Sequence, residues 1–137
     1  IILLTYGDGV SDVNIKELLE LHKQRKKICT VTAVPPPGRF GILDINSQGF
    51  VDRFIEKPQN NQTYINGGFF VCEPEVFNYI EDDATIFEKE PLENLASENQ
   101  LNSYIHSGFW KPMDTIRDKI VLEELWKKNK APWKIWK

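Results

Sequence analysis

The sequence predicts an α/β fold in which helices pack on a β-sheet. Three observations lead to this prediction. The first third of the chain reads as strand, helix and strand, over residues 1–5, 13–27 and 28–34, an order typical of a parallel α/β unit. Apolar runs and amphipathic segments keep alternating towards the C-terminus. The length of 137 residues and the 41% apolar fraction suit one domain with its own core, which we expect to span residues 1–137.

The composition argues against several classes of function. The net charge is −3 and no basic stripe stands out, so we expect no nucleic-acid partner. No apolar stretch has the length of a membrane span, so we expect no membrane partner. Cys29 and Cys72 each lie in an apolar run, which predicts buried, reduced thiols and a cytoplasmic protein. A disulfide between them is the alternative, but nothing in the sequence requires one.

The N-terminal unit is interrupted by a segment rich in glycine. Residues 1–5 form a continuous apolar run, as in a strand covered on both faces. Tyr-Gly-Asp-Gly, residues 6–9, ends this run, and Ser11 or Asp12 is the predicted N-cap of the helix over 13–27. The chain has no initiator Met and opens inside a core-strand pattern. We therefore expect a fragment whose upstream part is missing.

The middle of the chain predicts a hairpin and a strand that contains glycines. Pro-Pro-Pro-Gly at 35–38 ends the preceding strand. The sequence predicts two short strands, over 40–45 and 50–55, with a loop between them, and an exposed loop over 59–63. The next strand, 64–72, includes Gly67 and Gly68. Interior glycines of this kind mark a bulge or the close approach of a ligand.

The C-terminal half predicts three helices and one strand. Pro74 opens a short helix with Val76, Phe77 and Ile80 on one face. The remaining elements are a helix over 85–99 with Pro91 near a helix start, a strand over 101–106, a loop over 108–115, a helix over 116–128 and an aperiodic tail.

Asp8 is the first candidate for chemistry. It follows the buried strand and lies between Gly7 and Gly9, which let a ligand approach the backbone closely. Ligands of open α/β sheets bind beyond the carboxyl ends of strands, and a carboxylate there suits a magnesium ion and the phosphates that it neutralises. The alternative is an ordinary turn residue or helix cap.

Asp114 is the second candidate, because it also lies at the end of an element. Asp114 or Thr115 is predicted to start the following helix, and N-capping is an adequate structural explanation for an aspartate there. Glu56 and Lys57 follow a strand and precede a proline. A glutamate can accept hydrogen bonds from sugar hydroxyls and a lysine can hold a phosphate, and the alternative is a solvated loop. His22 and His106 have no partner visible in the sequence and are interpreted as structural or surface residues.

Five short motifs occur in a characteristic order. They are Tyr-Gly-Asp-Gly-Val-Ser-Asp at 6–12, Pro-Pro-Gly-Arg-Phe-Gly at 36–41, Glu-Lys-Pro at 56–58, Asn-Gly-Gly-Phe-Phe-Val at 66–71 and Phe-Trp-Lys-Pro-Met-Asp-Thr at 109–115. In this order they resemble the sugar-1-phosphate nucleotidylyltransferases over nearly the whole chain. Glu-Pro-Leu at 90–92 and the ending at 131–136 are similar to the subgroup of that family that makes CDP-glucose.

The resemblance implies an N-terminally truncated, Rossmann-like nucleotide-diphospho-sugar transferase fold, with a mixed sheet and flanking helices. It implies a magnesium-dependent attack of glucose 1-phosphate on the α-phosphate of CTP, with release of pyrophosphate. Asp8 and Asp114 correspond to the family's two metal-binding aspartates. The positions that correspond to its substrate-binding residues are Gly7, Gly41, Glu56, Lys57, Asn66 and Gly67, of which Glu56 matches the acid on the sugar hydroxyls and Lys57 the lysine on the phosphate.

The chain departs from the family in one large feature. Members also carry a Gly-Thr-Arg loop and a catalytic lysine that bind and activate the triphosphate, and this chain has neither. We therefore expect the isolated chain to be inactive. Two hypotheses stay open, a fragment of the enzyme or a non-catalytic sugar-phosphate-binding or assembly module, and UTP or dTTP could replace CTP. A missing first half would uncover residues 1–4, so we also expect a homo-oligomer.

Overall fold

The structure is a computed structural model that describes residues 1–38, 41–56 and 63–137. Its α/β composition confirms the predicted fold class. The strands are β1 (Ile2–Leu4), β2 (Gly9–Ser11), β3 (Cys29–Val34), β4 (Gly41–Ile45), β5 (Val51–Glu56), β6 (Ile65–Asn66), β7 (Phe70–Cys72), β8 (Leu101–Ile105) and β9 (Trp110–Pro112). The helices are α1 (Ile15–Arg25), α2 (Glu90–Ser97) and α3 (Ile116–Lys127), with a short 3-10 helix at Pro74–Tyr79. None of the α-helices in the described ranges combines the length and apolarity that a membrane crossing requires.

The described residues form two compact units, Ile1–Val34 with Asn66–Lys137, and Pro35–Ile65. The prediction that residues 1–137 act as one domain stays a prediction. The first unit carries a mixed sheet in the order β1-β7-β3-β6, with β8 also paired to β3. β7 runs antiparallel to both β1 and β3, whereas β8 runs parallel to β3. β1 and β3 therefore share a direction, as predicted, but β7 lies between them.

The glycines at 67 and 68 interrupt one strand beside β3, as the sequence predicted. Gly67 N donates to Thr32 O at 2.8 Å, and Thr32 N donates to Gly68 O at 3.3 Å. Gly68 (φ 73°) and Phe69 (φ 46°) both have left-handed backbone conformations, which re-aim the chain between β6 and β7. The Thr32 hydroxyl donates to Phe69 O at 2.9 Å, so the break is held to β3 by side-chain as well as backbone bonds.

The core of the first unit lies where β3 and β7 meet the 3-10 helix and α2. Its buried members are Cys29, Phe70, Cys72, Val76 and Leu95. The two cysteines pair across the strands and are free thiols with sulfur atoms 3.4 Å apart, so the prediction of buried thiols is confirmed. The hydrogen bond from one thiol to the other, together with burial, raises the pKa of Cys29.

Several helix boundaries differ from the sequence predictions, because other contacts occupy the predicted caps. α1 is capped by Asn14, whose side chain accepts from the Lys16 and Glu17 amides, and not by Ser11 or Asp12. α2 begins at Glu90 and not at Thr85, whose hydroxyl instead accepts from two backbone amides of the preceding turn.

Three further predictions are corrected by the burial and pairing of the side chains. Phe77 is 60% exposed, so it does not share the buried face of Val76 on the 3-10 helix. The predicted loop 108–115 contains β9, which pairs antiparallel with β2. The N-terminal run is not covered on both faces, because Leu3 of β1 is 58% exposed. Ile1, Leu3 and Leu4 are exposed, as predicted for this segment, whereas Ile2 packs against the core.

The second unit contains the predicted hairpin of β4 and β5. The strands pair from Gly41 opposite Glu56 to Ile45 opposite Val51, with an irregularity between Asp44 and Ile45. Gly49 in the connecting loop has φ 85°, a conformation that glycine adopts without strain.

Candidate functional site

The two candidate aspartates lie at the same end of a short antiparallel ribbon formed by β2 and β9. The ribbon pairs Gly9 with Pro112 and Ser11 with Trp110. The Met113 amide extends this ladder by donating to the Asp8 carbonyl at 2.8 Å. Asp8 therefore lies beside the residue that precedes Asp114, although 106 positions (114 − 8) separate them in the chain. Both aspartates are exposed.

The cap of α3 leaves the Asp114 carboxylate available. Thr115 is the N-cap, and its hydroxyl accepts from the Asp118 amide at 3.1 Å. In return Asp118 Oδ2 accepts from the amides of Thr115 at 3.0 Å and Asp114 at 3.2 Å, which completes a capping box. The structural alternative for Asp114, capping this helix, is therefore wrong: Thr115 does so.

Asp118 is also paired with Lys111 of β9, whose ammonium nitrogen lies 3.0 Å from Asp118 Oδ1. The Lys111 contact and the bonds from Thr115 lower the pKa of Asp118 to about 2. Asp118 thus connects the ribbon to the first turn of α3, and the Asp114 backbone is held between these two elements.

A chain of hydrogen bonds brings Asn66 and Gly67 to the same region. Asn66 Nδ2 donates to the Tyr6 hydroxyl at 2.8 Å, and Tyr6 precedes Gly7 and Asp8. Trp110 of β9 donates from Nε1 to Gly67 O at 2.9 Å. Burial and the neighbouring Glu88 raise the pKa of Tyr6 to about 12, so this hydroxyl stays protonated.

The glycines of this region differ in the space around them. A Cβ on Gly67 would lie 2.8 Å from Val34 Cγ1 and 3.0 Å from Thr32 O, so the backbone packs directly against β3. A Cβ on Gly7 would meet no atom within 4 Å, which leaves open space beside Asp8. The structure therefore brings Gly7, Asp8, Asn66, Gly67 and Asp114 into one region of the first unit.

The other predicted residues belong to the second unit or lie outside the described residues. Gly41 and Glu56 are directly paired across the hairpin, and a Cβ on Gly41 would lie 3.6 Å from Glu56 Oε2. Lys57 falls outside the described residues, as do Arg39 and Phe40 of the predicted motif at 36–41. The roles of Gly41, Glu56 and Lys57 stay predictions.

Both histidines have partners that sequence reasoning missed. His22 is buried on α1, with Nδ1 2.8 Å from Thr30 Oγ1 and Nε2 3.0 Å from Glu73 Oε1. His106 is buried after β8, and its Nε2 lies near Ser11, Asp12 and the Phe109 carbonyl. The interpretation of both as structural residues agrees with their burial, but their partners lie on other elements and leave no local signal.

The donor set at the ribbon suits a hard divalent cation. In the stretches that the structure describes, no group of three or more His, Cys, Asp or Glu side chains could hold a metal ion. Asp8 and Asp114 supply carboxylate oxygens and are exposed, so a ligand could complete the shell. Magnesium in enzymes is typically bound by one or two carboxylates together with substrate phosphates and waters, which this pair fits.

Comparisons with known proteins agree with the resemblance of the motifs. A family model described as nucleotidyl transferase matches residues 1–124. Glucose-1-phosphate cytidylyltransferase of Salmonella typhimurium is 54% identical over 98% of this chain and 52% of the relative. Mannose-1-phosphate guanyltransferase of Saccharomyces cerevisiae is 34% identical over 82% of this chain and 32% of the relative. The chain thus spans about half or less of the length of these curated relatives.

A solved structure shows the same fold at low sequence identity. The crystal structure of HddC from Yersinia pseudotuberculosis superposes with a TM-score of 0.60 at 17% identity. The match covers 91% of this chain and 55% of that one.

Proposed function

Since its residues 1–124 match the family model, this chain belongs to the nucleotidyl transferase family, and we propose that it forms the metal-binding and sugar-phosphate-binding part of a sugar-1-phosphate nucleotidyltransferase. The observation that supports the proposal is the ribbon of β2 and β9: the Asp8 carbonyl accepts from the amide of Met113, the residue before Asp114, and Trp110 of the same ribbon donates to Gly67 O. The substrates that we propose are glucose 1-phosphate and CTP. The name and the 54% identity of the Salmonella relative support this choice.

In the proposed reaction, a phosphate oxygen of glucose 1-phosphate attacks the α-phosphorus of CTP. A new phosphorus–oxygen bond forms to give CDP-glucose, the bond to the bridging oxygen breaks, and pyrophosphate leaves. Asp8 and Asp114 would hold magnesium, which when bound neutralises charge on the phosphates. The substrate supplies its own nucleophile, so the protein has to position the two phosphates and needs no nucleophilic side chain.

The remaining residues are proposed to bind the sugar phosphate. Asn66 and Gly67 would line the sugar pocket, and Gly7 would let the phosphates approach the backbone beside Asp8. In the second unit, we propose that Glu56 accepts hydrogen bonds from sugar hydroxyls and that Gly41 approaches the sugar through its backbone. The Lys57 ammonium would neutralise the sugar phosphate as a point charge.

A chimera tests the reaction directly. The matched region of the Salmonella typhimurium relative is replaced by this chain, and pyrophosphate release is measured with CTP, glucose 1-phosphate and magnesium. We expect turnover, and we expect Asp8→Asn or Asp114→Asn to reduce kcat by about 100-fold or more, as loss of a charge-stabilising group does. The control is Asp83→Asn, an exposed aspartate in a different turn. A folded chimera that releases no pyrophosphate, or aspartate variants as active as Asp83→Asn, would refute the proposal.

A second candidate function is a non-catalytic assembly module. It is favoured by the open edge of β1, where Leu3 is 58% and Leu4 40% exposed, because exposed apolar strand edges pair with other chains. Calorimetric titration of the chain with glucose 1-phosphate separates the two candidates. Binding that Glu56→Gln abolishes favours the first, and self-association without any sugar-phosphate binding favours the second.

A further inference from the structure

His106 forms a polar cluster with Ser11, Asp12 and the Phe109 carbonyl. This cluster lies at one end of the β2–β9 ribbon, and Asp8 and Asp114 lie at the other end. His106 Nε2 lies 3.2 Å from Ser11 Oγ, 3.1 Å from the Phe109 carbonyl and 3.0 Å from Asp12 Oδ1. The His106 side chain is only 9% exposed. We propose that His106 is a positioning residue that fixes the register of this ribbon and so the separation of the two metal-binding aspartates. This inference rests on the proposed function.

The contacts indicate which nitrogen of the His106 ring carries a proton. The Ser11 hydroxyl donates its hydrogen to the Phe109 carbonyl at 2.7 Å, so towards His106 its oxygen can only accept. The Phe109 carbonyl and the Asp12 carboxylate are also acceptors. Three acceptors around one nitrogen require a proton on Nε2, which makes His106 the donor. Asp12 Oδ1 is itself buried and has no well-aligned hydrogen-bond partner among the described residues, so its 3.0 Å contact with Nε2 is its available polar stabilisation.

The cluster connects the ribbon to the main sheet. The His106 amide donates to Ala33 O of β3 at 2.9 Å, so the histidine backbone is hydrogen-bonded to the main sheet. Its ring reaches Ser11, the last residue of β2, and the carbonyl just before β9. A Cβ on Gly108 would lie 2.6 Å from Asp12 Oδ1 and 2.8 Å from His106 Cε1, so residue 108 packs directly against both side chains.

The ribbon needs such an anchor because it is short. Each strand contributes three residues, and an isolated two-stranded ribbon is marginally stable in water. If the pairing of β2 with β9 slipped by one residue, Asp8 would move relative to Asp114 by about 3.4 Å, the rise per residue of a strand. Magnesium demands near-ideal octahedral geometry with oxygen distances of about 2.0–2.1 Å, so a slip of that size would separate the two ligands from a common ion.

Two readouts on the full chain test this role. The first is hydrogen exchange of the peptide that covers residues 110–113, measured without metal. The second is the affinity for Mn²⁺, used as a paramagnetic probe for the magnesium site. His106→Phe keeps a ring but removes the donor, whereas His106→Gln keeps an amide donor close to the position of Nε2.

We expect His106→Phe to raise exchange over 110–113 at least about tenfold and to leave residues 29–34 unchanged. We expect it to weaken Mn²⁺ binding by about 10-fold or more, the usual effect of losing a group that orients a ligand. His106→Gln should restore both. If His106→Phe does not fold, His106→Asn replaces it, because its shorter amide cannot reach the Nε2 position and the same losses are expected.

The outcomes separate the two proposals. If wild type and Asp83→Asn bind no Mn²⁺, the proposed metal site fails, while the exchange over 110–113 still tests the anchor. If wild type binds Mn²⁺ and His106→Phe, or His106→Asn in its place, binds it equally well, the positioning role is overturned. Unchanged exchange over 110–113 in His106→Phe or His106→Asn would also overturn it.

Discussion

Gly67 offers a sharp test of how closely the candidate site is packed on the sheet. In Gly67→Ala, the new Cβ would start 2.8 Å from Val34 Cγ1, whereas carbon atoms in contact lie at least about 3.5 Å apart. It would also lie 3.0 Å from the Thr32 carbonyl oxygen, which accepts the Gly67 N–H bond at 2.8 Å. Val34 is 1% and Thr32 0% exposed, so neither can move into solvent.

The chain must therefore shift by about 0.7 Å (3.5 − 2.8) away from the buried Val34 side chain. Overpacking of this kind costs about 1–3 kcal/mol. For a chain of this length each kcal/mol corresponds to roughly 4 °C, so we expect a fall in Tm of roughly 4–12 °C. Gly9→Ala is the matched control, because a Cβ there meets no atom within 4 Å. It should be neutral or stabilising by up to about 1 kcal/mol.

Urea unfolding and thermal unfolding of both variants measure this difference. A double-mutant cycle assigns its cause: if the clash with Val34 dominates, Gly67→Ala should cost at least about 0.5 kcal/mol less in a Val34→Ala background. If Gly67→Ala has the same free energy of unfolding as Gly9→Ala, the close approach of this segment to β3 is refuted. An unchanged penalty in the Val34→Ala background would assign the strain to the Thr32 carbonyl instead.

The remaining predictions concern pH and association. The pKa of Asp118 is depressed to about 2, so its carboxylate stabilises the fold at neutral pH, and that contribution is lost as pH falls from about 4 through 2. Asp118→Asn should therefore be less stable than wild type at pH 7 in urea unfolding, and most of this difference should be lost near pH 2. A constant difference across that range contradicts the prediction. The pKa of Tyr6 is raised to about 12, so ultraviolet difference titration should show one tyrosine ionising near pH 12 that Tyr6→Phe removes. The exposed edge of β1 should make the chain self-associate, and Leu3→Lys should shift light scattering towards the monomer, with Leu43→Lys in the second unit as the control.

Much of the fold follows from local patterns. The boundaries of β3 and α3 lie within one residue of the predicted 28–34 and 116–128, because a β-branched run and a helical period are each carried by consecutive residues. The hairpin was predictable because its loop contains a glycine that the turn requires, at φ 85°. The interruption by Gly67 and Gly68 was predictable because glycine in an apolar strand weakens it unless the backbone departs from the ladder.

The candidate site was only partly predictable. Asp8 and Asp114 were each found at the end of an element, and the order of the motifs selected them over other turn residues. The strands that join them have three residues each, too short for a period to show, so the loop prediction over 108–115 missed β9. The contacts of His106 with Ser11 and of His22 with Glu73 span 95 and 51 positions, and no local pattern carries pairings of that range.

Periodicity and motif order are properties of neighbouring positions, so the α/β class, the family and the candidate site residues can be predicted from the amino-acid sequence alone. The folded unit settles that β7 lies between β1 and β3, that β2 pairs with β9, and that Asp8 and Asp114 flank the same end of this ribbon. Each of these depends on which distant backbone groups satisfy one another once the core around Phe70 is packed. That choice is made by the whole unit, so it cannot be read from any one segment.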